Sequence, residues 1–497
     1  SPMKDKFLFC LFDGLRRDIV RQDTMPNLSA FRDGWVDFPN SSSVFPSETR
    51  VQVSSFVTGA FPGDAQLDLK NQDGFGHGVM ANVFFDPNQS IGAPLETSNL
   101  EKMEKAEKYY GRIQKSINLS EIMASAGREY SVLTTGKIGN AKLLNLNANK
   151  LNQKVFSIWG ADICSKTVDF EMIVERFGPI PKQDFPNNAV TEYATNLLLD
   201  YFLKSGSADL QVMWYNEPDL SFHYRGIGSP ESLSSIACLD KCFGRILDWW
   251  STDGRKDGWH LIVASDHAQI SVAKQIDVFS ELETAGFKVG AGLSEGNDIA
   301  LKRSYSGQIT VRDRDELLVR EILQFLQAQP WCGLTFSKFG EDGALFMGDI
   351  NVLNERSPDV YFTMRTFDGA NHFGYPGLCF GDNPDIPIGG GVHGGLHSVE
   401  LNNLLIFAGN KFHRQKVFDT PTGIVDILPS ILWAMEIDIP SSVMGRPLKE
   451  AFISQGTSPA WCERILSASN GQYSQNMRLG HVEGVNFPYL RGGQRTS

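Results

Sequence analysis

Short apolar runs alternate with longer amphipathic stretches along the chain, and this alternation predicts the fold class. The runs are rich in Val, Ile, Leu and Phe and contain few polar positions, which is typical of strands buried on both faces. The predicted strands are FLFCLF (7–12), YSVLTT (130–135), LQVMWY (210–215), WHLIVAS (259–265) and NLLIFAG (403–409).

Helical periodicity is strongest in three stretches between or after these runs. They lie at 231–250, 315–327 and 423–435, and Pro429 predicts a break or kink in the last of them. Alternation of strands and helices is typical of an α/β fold. We therefore predict a doubly wound, mostly parallel sheet with helices on both faces.

The positions of candidate ligands along the chain, which are named below, predict the boundaries of a core, an insertion and a tail. Region 268–385 separates two sets of candidate ligands, so we predict that it is an inserted cap. The core then comprises 3–267 and 386–452. Residues 453–497 are polar and rich in Gly, Ser and Asn, which predicts an extended C-terminal tail lying over the body.

Composition narrows the classes of function. Of the 497 residues, 41% are hydrophobic and 21% are charged, so we expect a sizeable core and no global disorder. The net charge of −12 argues against a protein that binds a nucleic-acid duplex. A small anionic substrate stays possible, because a metal cluster can reverse the local field. Seven cysteines without a CxxC pair exclude a disulfide-framework fold.

The sequence offers no sign of a membrane or secretory segment. No run of 18 or more apolar residues occurs, so we predict no membrane span. The N-terminal residues lack the pattern of a signal peptide. We therefore favour a cytoplasmic location, and a secreted protein whose signal peptide has been removed is the alternative.

Acidic and histidine side chains follow the predicted strands, where ligands bind in doubly wound sheets. The chain has only nine histidines, and three of them lie at strand ends or in a nearby loop. Three carboxylates and three imidazoles suit two Zn²⁺ ions, with Mn²⁺ as a competitor. The six candidate ligands are Asp13, Asp219, His223, Asp266, His267 and His393. Helix capping is the alternative role for Asp13 taken alone.

The stretch SSSVFPSETRVQVSSFVTG (41–59) supplies a candidate nucleophile. Thr49 opens a helical pattern, and a hydroxyl at a helix N-terminus lies near free N–H groups that favour a phosphate. A neighbouring metal would lower the pKa of this hydroxyl and make an alkoxide accessible. The alternative is that Ser47 or Thr49 only caps the helix.

Five motifs follow one another along the chain: DGLRRD (13–18), VFPSETRVQVSSFVTG (44–59), NEPDLSFH (216–223), SDHA (265–268) and GVHGG (391–395). In this order they resemble the alkaline phosphatase superfamily, and they are most similar to its type I phosphodiesterase / nucleotide pyrophosphatase branch. The segment 419–452 is similar to the C-terminal region of that family. The resemblance spans about residues 7–452 and implies an alkaline phosphatase-like fold.

The resemblance also implies a role for each candidate residue. One Zn²⁺ would be held by Asp219, His223 and His393. The other would be held by Asp13, Asp266 and His267, with the Thr49 hydroxyl bound to it. Asn82, in GHGVMANVFFDPN (76–88), matches the family asparagine that helps to hold a phosphoryl oxygen. Thr49 would attack the phosphoryl group in line, and water would then cleave the phospho-threonine intermediate.

Several features depart from the family pattern on the side that shapes the substrate. Extra residues, about 64–76, precede the Asn82 element, and Arg50 follows the nucleophile where other branches often carry an apolar residue. Arg50 can reach a substrate carboxylate or phosphate, and a surface arginine is the alternative. His397, four residues after His393, can touch the same pocket or belong to the loop alone.

The leading prediction is therefore a two-zinc phosphodiesterase or nucleotide pyrophosphatase-like hydrolase that acts on a small anionic phosphorylated substrate. A phosphonoacetate-type C–P hydrolase and a phosphomonoesterase are the enzymatic alternatives. A degenerate relative that binds metal without catalysis is the non-enzymatic one. No Cys or Ser occupies the nucleophile position in a C/S-x-P-x-R motif, which argues against a sulfatase.

Overall fold

The structure is a computed structural model of the 497-residue chain. It describes residues 3–64, 76–85, 95–204, 207–294, 296–455 and 457–497. Most of the extra segment predicted at about 64–76 lies outside these ranges, as do the last residues of the element at 76–88.

All five predicted strands belong to one central sheet of eight strands. Its order is Lys416–Val417, Val36–Asp37, Leu405–Ala408, Trp259–Ala264, Lys6–Phe12, Leu210–Tyr215, Tyr130–Thr134 and Lys154–Ser157. The last five strands in this order run parallel to one another. Leu405–Ala408 is antiparallel to its neighbour Trp259–Ala264. The prediction of a mostly parallel sheet is confirmed.

Helices cover both faces of the central sheet, which explains why the strand Lys6–Phe12 is apolar and buried from Phe7 to its end. Successive side chains of a strand point to opposite faces, and alternate residues of this strand enter two separate hydrophobic clusters. One cluster includes helices Thr49–Thr58 and Ile427–Ala434, and the other includes Pro26–Gly34 and Pro230–Trp249. A strand buried on both sides has no position that faces water.

The helices of the described residues are mostly short. The α-helices are Pro26–Gly34, Thr49–Thr58, Leu100–Tyr110, Leu119–Ser125, Ile138–Leu144, Phe170–Phe177, Asn188–Leu197, Asp219–Arg225, Pro230–Trp249, Val278–Thr284, Glu316–Gln327, Ser398–Leu401 and Ile427–Ala434. The break predicted at Pro429 is wrong, because the last helix begins at Ile427 and Pro429 lies in its first turn, where a missing N–H is tolerated. Within the described ranges, the length and apolar content of every helix fall short of what crossing a membrane requires.

The region predicted as an inserted cap contains strands of two further sheets. The insert sheet has six strands: Val289–Gly290, Ile299–Lys302, Ser306–Val311, Val360–Met364, Cys332–Ser337 and Leu345–Phe346. The rim sheet has four strands: Thr366–Ala370, Pro376–Gly381, Ile270–Gln275 and Gly391–Val392. Because Ile270–Gln275 pairs with Gly391–Val392, the rim sheet reaches the loop that carries His393. The division into core and cap stays a prediction.

The C-terminal residues form a third small sheet. The C-terminal sheet is antiparallel and consists of Trp461–Asn470, Tyr473–Val482 and Tyr489–Arg495. Its residues Met477 and Leu479 pack with Leu334 and Phe336 of the insert sheet. The predicted extended tail lying over the body stays a prediction as a unit of the chain. The pairing of its strands into a sheet was not expected, because the Gly, Ser and Asn content obscured the period-two burial of the middle strand.

Candidate metal centre

The six predicted ligands come together beside the ends of the central strands, in two groups of three. The Asp219 group consists of Asp219, His223 and His393, and the Asp13 group consists of Asp13, Asp266 and His267. Within each group, one potential ligand atom from every residue lies within 4.8 Å of the others. Carboxylate oxygens and imidazole nitrogens are donors that Zn²⁺ accepts.

In the Asp219 group, one short helix supplies two of the three side chains. Asp219 and His223 are one turn apart on the helix Asp219–Arg225, so they project from the same side. His223 Nε2 is 3.2 Å from one Asp219 oxygen, and His393 Nε2 is 3.3 Å from the other. Gln269 Nε2 donates to Asp219 Oδ1 at 2.6 Å and holds this carboxylate in place.

In the Asp13 group, two adjacent parallel strands end side by side. Asp13 follows Lys6–Phe12, and Asp266 comes shortly after Trp259–Ala264. His267 Nε2 is 3.3 Å from Asp13 Oδ1 and 3.1 Å from Asp266 Oδ2. Thr49 Oγ1 lies 3.1 Å from the same nitrogen, at the start of the helix Thr49–Thr58. The predicted nucleophile therefore borders this group.

Gly14 allows the strand ends to approach one another. Its φ of 76° lies in the left-handed region, and its N–H donates to Asp266 Oδ1 at 3.0 Å. A Cβ at this position would come within 3.1 Å of the Asp219 Cα. Glycine is therefore required both by the backbone conformation and by the space between the two groups.

Each of the three histidines is oriented by a backbone carbonyl. The Nδ1···O distances are 2.6 Å for His223 to Gly391, 2.9 Å for His267 to Ala268 and 2.6 Å for His393 to Ser47. A carbonyl oxygen only accepts, so Nδ1 carries the proton and donates it. The Nε2 lone pair then faces the carboxylates, which is the tautomer that ligates a metal.

Buried carboxylate oxygens make the Asp13 group suitable for a cation. Asp13 Oδ1 and Asp266 Oδ2 are buried and have no hydrogen-bond partner among the described residues. Burial and the charges of Asp266 and Asp219 raise the pKa of Asp13 well above its ordinary value. Burial opposes the charged form of His267, but the neighbouring Asp266 and Asp13 raise its pKa well above the ordinary value. A metal cation can replace that proton and satisfy the orphaned oxygens, so the donor set fits.

The Asp219 group shows the complementary electrostatics. Burial opposes ionisation of Asp219, but the charge of His223 and hydrogen bonds to His223 and His393 hold its pKa well below the ordinary value. Burial and the charge of His267 lower the pKa of His393. The carboxylate is therefore ionised while the His393 imidazole is neutral, and both are the forms that bind metal.

A polar cavity of about 250 Å³, which we call the metal-site cavity, opens beside both groups. Thr49, Arg50 and Asn82 line it, as the sequence suggested. Asn82 Oδ1 accepts a hydrogen bond from the Arg50 backbone N–H at 3.1 Å. The amide nitrogen of Asn82 is then the end available as a donor to a phosphoryl oxygen.

The Arg50 side chain is held back against the protein. Its Nη1 donates to Thr97 Oγ1 at 2.9 Å and to the Asn82 carbonyl at 3.3 Å. Burial lowers the pKa of Arg50 to about 10, so the guanidinium keeps its charge at neutral pH. Arg50 therefore places a positive charge at the wall of the cavity, while its Nη1 donates to groups within the protein.

The structure does not bring His397 to the metal-site cavity. Its Nδ1 accepts from the Val399 N–H at 3.1 Å and caps the helix Ser398–Leu401. Its Nε2 lies 2.9 Å from Asp368 Oδ1. Both ring nitrogens of His397 are occupied by these two contacts. The structure therefore does not support the suggestion that His397 contacts the substrate.

Sequence reasoning missed the contribution of the insert sheet. Lys302, at the end of the strand Ile299–Lys302, forms a buried ion pair with Glu48, the residue before Thr49. Glu48 Oε2 also accepts from the Asn82 N–H at 3.3 Å. Tyr305 lines the cavity from the same region. The one signal in the sequence was Lys302 at the end of a short apolar run, and that pattern does not indicate that Glu48 is its partner.

Comparisons with known proteins agree with this geometry. A profile of the type I phosphodiesterase / nucleotide pyrophosphatase family matches residues 8–315, which is more than half of the chain and includes every predicted ligand except His393. Among solved structures, murine ectonucleotide pyrophosphatase / phosphodiesterase 5 is similar, with a TM-score of 0.58 and 17% identity over 88% of this chain and 96% of that one. An inactive threonine-to-alanine variant of the murine protein, in complex with AMP, gives the same values.

At this identity, the structural similarity shows the fold alone, and that fold is the alkaline phosphatase-like α/β fold that the sequence predicted. The family match extends further, because it follows the sequence itself across both strands of the Asp13 group and the helix of Thr49. The chain therefore belongs to the type I phosphodiesterase / nucleotide pyrophosphatase family of hydrolases.

Proposed function

We propose that this protein hydrolyses a phosphodiester or pyrophosphate bond in a small anionic substrate, with Thr49 as the nucleophile. The observation that carries the proposal is the position of Thr49 Oγ1, which lies 3.1 Å from His267 Nε2 and beside two groups of metal-type ligands. A threonine hydroxyl is a weak nucleophile until a base or a metal activates it. This site has the side chains for such activation.

We propose that each group holds one divalent cation and that Zn²⁺ is favoured over Mn²⁺ by the imidazole content. Asp219, His223 and His393 would hold one ion, and Asp13, Asp266 and His267 the other. When bound, the ions supply positive charge that lowers the pKa of the Thr49 hydroxyl and stabilises negative charge on the phosphoryl oxygens. The chain orients its ligands in advance through the three Nδ1–carbonyl contacts.

The reaction then has two displacements at phosphorus. The Thr49 hydroxyl loses its proton to solvent, and its oxygen forms a bond to phosphorus as the bond to the leaving oxygen breaks. This gives a phosphothreonine, and the leaving oxygen takes up a proton from solvent. Water next attacks this phosphorus, the bond to Thr49 breaks, and a proton from the water restores the hydroxyl. Asn82 donates to a phosphoryl oxygen in both displacements. Catalysis by the protein is mainly positioning and charge stabilisation.

Two observations support this assignment. The murine relative is described as inactive when a threonine is replaced by alanine, and its complex contains AMP. We extend that requirement for a threonine to Thr49. Arg50 is held by Thr97 and by the Asn82 carbonyl, so its guanidinium is poorly placed to pair with the extra charge of a monoester. A diester or pyrophosphate substrate is therefore favoured over a phosphomonoester.

The experiment compares three substrates on one preparation: bis-p-nitrophenyl phosphate, p-nitrophenyl phosphate and phosphonoacetate. We expect the diester to be turned over fastest, with about two metal ions per chain by elemental analysis. A clear preference for the monoester would overturn the diesterase assignment. Phosphate release from phosphonoacetate alone would replace it with C–P bond cleavage. Full activity after metal removal would contradict the proposed role of the two groups.

A further inference from the structure

A second and larger cavity, of about 480 Å³, lies beside the C-terminal sheet. We call it the arginine cavity, because its walls include four arginines: Arg16, Arg17, Arg478 and Arg491. Asp18 is the only carboxylate among the described residues that line it. The described linings of this cavity and of the metal-site cavity have no residue in common. A concentration of guanidinium groups is unexpected in a chain with a net charge of −12.

Two of these arginines are neutralised by carboxylates of their own. Arg16 Nε donates to Asp18 Oδ1 at 2.9 Å. Arg17 forms a bidentate pair with Asp37, with distances of 2.8 and 2.9 Å. These pairs form one wall of the cavity and add no net charge to it.

The other two arginines share a single carboxylate. Glu463 Oε1 lies 3.3 Å from Arg478 Nη1 and 3.0 Å from Arg491 Nε. One carboxylate cannot balance two guanidiniums, so this side of the cavity carries an excess positive charge. An anion is the ligand that such a charge would attract.

Arg491 presents an unused donor. Its Nη1 is buried and has no hydrogen-bond partner among the described residues. The guanidinium lies over the ring of Trp461, 5.2 Å from the ring centroid, which restricts how it can turn. A buried N–H that is held in place and left without an acceptor is costly unless a ligand or solvent accepts from it.

The remaining lining includes apolar side chains. Leu401 and Leu490 are buried, and Val399 lies beside them. We propose that the arginine cavity binds a small oxyanion, whose oxygens accept from the donors of Arg491 and Arg478 that Glu463 leaves unoccupied, and whose body packs on these apolar residues. A phosphate ester and a carboxylate share this chemistry, because the guanidinium fork fits both. The proposal does not depend on Thr49 or on the reaction.

Calorimetric titration of the intact protein with inorganic phosphate, and separately with succinate, tests the site. We expect phosphate to bind in two classes, one in each cavity. Arg491→Gln should weaken one class by about tenfold or more and leave unchanged the inhibition constant of phosphate as a competitor of the substrate. Binding of succinate at the class that Arg491→Gln weakens would assign the site to carboxylates as well, and its failure to bind there would assign it to phosphates.

Two further variants separate a binding site from a folding defect. Glu463→Gln removes the competing carboxylate, so we expect it to tighten oxyanion binding, whereas a damaged C-terminal sheet would weaken it. Arg464→Gln alters an exposed arginine of the same strand that does not line the cavity, and it should leave both classes unchanged. The proposal is overturned if Arg491→Gln leaves both classes intact, if Glu463→Gln weakens binding, or if neither anion binds outside the metal-site cavity.

Discussion

The metal-site cavity and the arginine cavity have opposite imbalances of charge: buried carboxylates dominate the first, and guanidiniums dominate the second. In the first, the carboxylates of Asp13 and Asp266 are buried beside histidine nitrogens, with oxygens that have no hydrogen-bond partner among the described residues. In the second, guanidiniums outnumber the carboxylates that contact them. Under the two proposals, the first region would recruit cations, which would then attract an anionic substrate, whereas the second would attract an anion directly. A net charge of −12 predicts neither local field.

The largest expected difference between the two cavities follows from removing the nucleophile. Thr49→Ala should lower turnover of bis-p-nitrophenyl phosphate by about 10⁴-fold or more, because it removes the hydroxyl that lies beside His267 Nε2. Metal content by elemental analysis and phosphate binding in the arginine cavity should not change. Thr49→Ser is the matched control and should keep measurable turnover. Near-normal activity of the alanine variant would remove Thr49 from the mechanism.

A smaller effect is expected from the amide that faces the phosphoryl group. Asn82→Ala should lower kcat by about 10²-fold, the usual cost of one donor to a developing oxyanion. Asn82→Asp should be worse, because a carboxylate cannot donate and repels the substrate. Steady-state kinetics of both variants on the diester measure the effect. A change confined to KM would show that Asn82 binds the ground state and has no special role in the transition state.

The contact between the insert sheet and the nucleophile helix should matter less again. Lys302→Met leaves Glu48 buried and unpaired, so we expect kcat to fall by about tenfold through displacement of Asn82. The double variant with Glu48→Gln should recover part of the loss, because no buried charge then lacks a partner. Lys288→Met, at an exposed lysine of the same region, is the control. Equal activity of all variants would make the ion pair structural only.

The smallest effect is expected at His397, where the measurement distinguishes a residue that caps a helix from one that binds the substrate. His397→Ala should lower the free energy of unfolding by about 1 kcal/mol through loss of the helix cap, as measured in urea. KM should stay within about twofold of the original value, because His397 does not line the metal-site cavity. Asp368→Ala removes only the exposed partner of His397 and should change neither quantity much. A tenfold rise in KM of the His397→Ala variant would show that His397 contacts the substrate after all.

Five of the six candidate ligands could be predicted from sequence because they come soon after an apolar strand or lie on one helix, and both patterns are local. Asp13 and Asp266 come soon after apolar runs, and Asp219 and His223 are spaced by one helical turn. His397 shows the limit of nearness along the chain. Gly394, with a φ of 134°, follows His393 in the loop, and His397 is the residue that caps the helix Ser398–Leu401. Proximity in sequence therefore predicted a shared pocket that the backbone does not make.

Contacts between segments that are distant in sequence could not be predicted in this way, because no local pattern indicates them. Glu48 and Lys302 are 254 positions apart, and nothing in either local pattern identifies the other. Arg478 and Arg491 lie on two strands of the C-terminal sheet, whose Gly, Ser and Asn residues disguised its alternation. Both the ion pair and the arginine cavity arise from tertiary packing, which single-sequence periodicity does not record.

The distribution of the metal ligands along the chain has a consequence for biosynthesis. The three side chains of the Asp13 group lie within the first 267 residues, whereas the Asp219 group lacks its third side chain until His393 has been made. His393 in turn is oriented by the carbonyl of Ser47, near the opposite end of the polypeptide. The loop that carries Asp266 and His267 also depends on late residues, because the Ala268 N–H donates to the Glu400 carbonyl at 2.8 Å. A nascent chain therefore carries all the side chains of one group long before the other, but it cannot pack either group in place until the segment after His393 has been made.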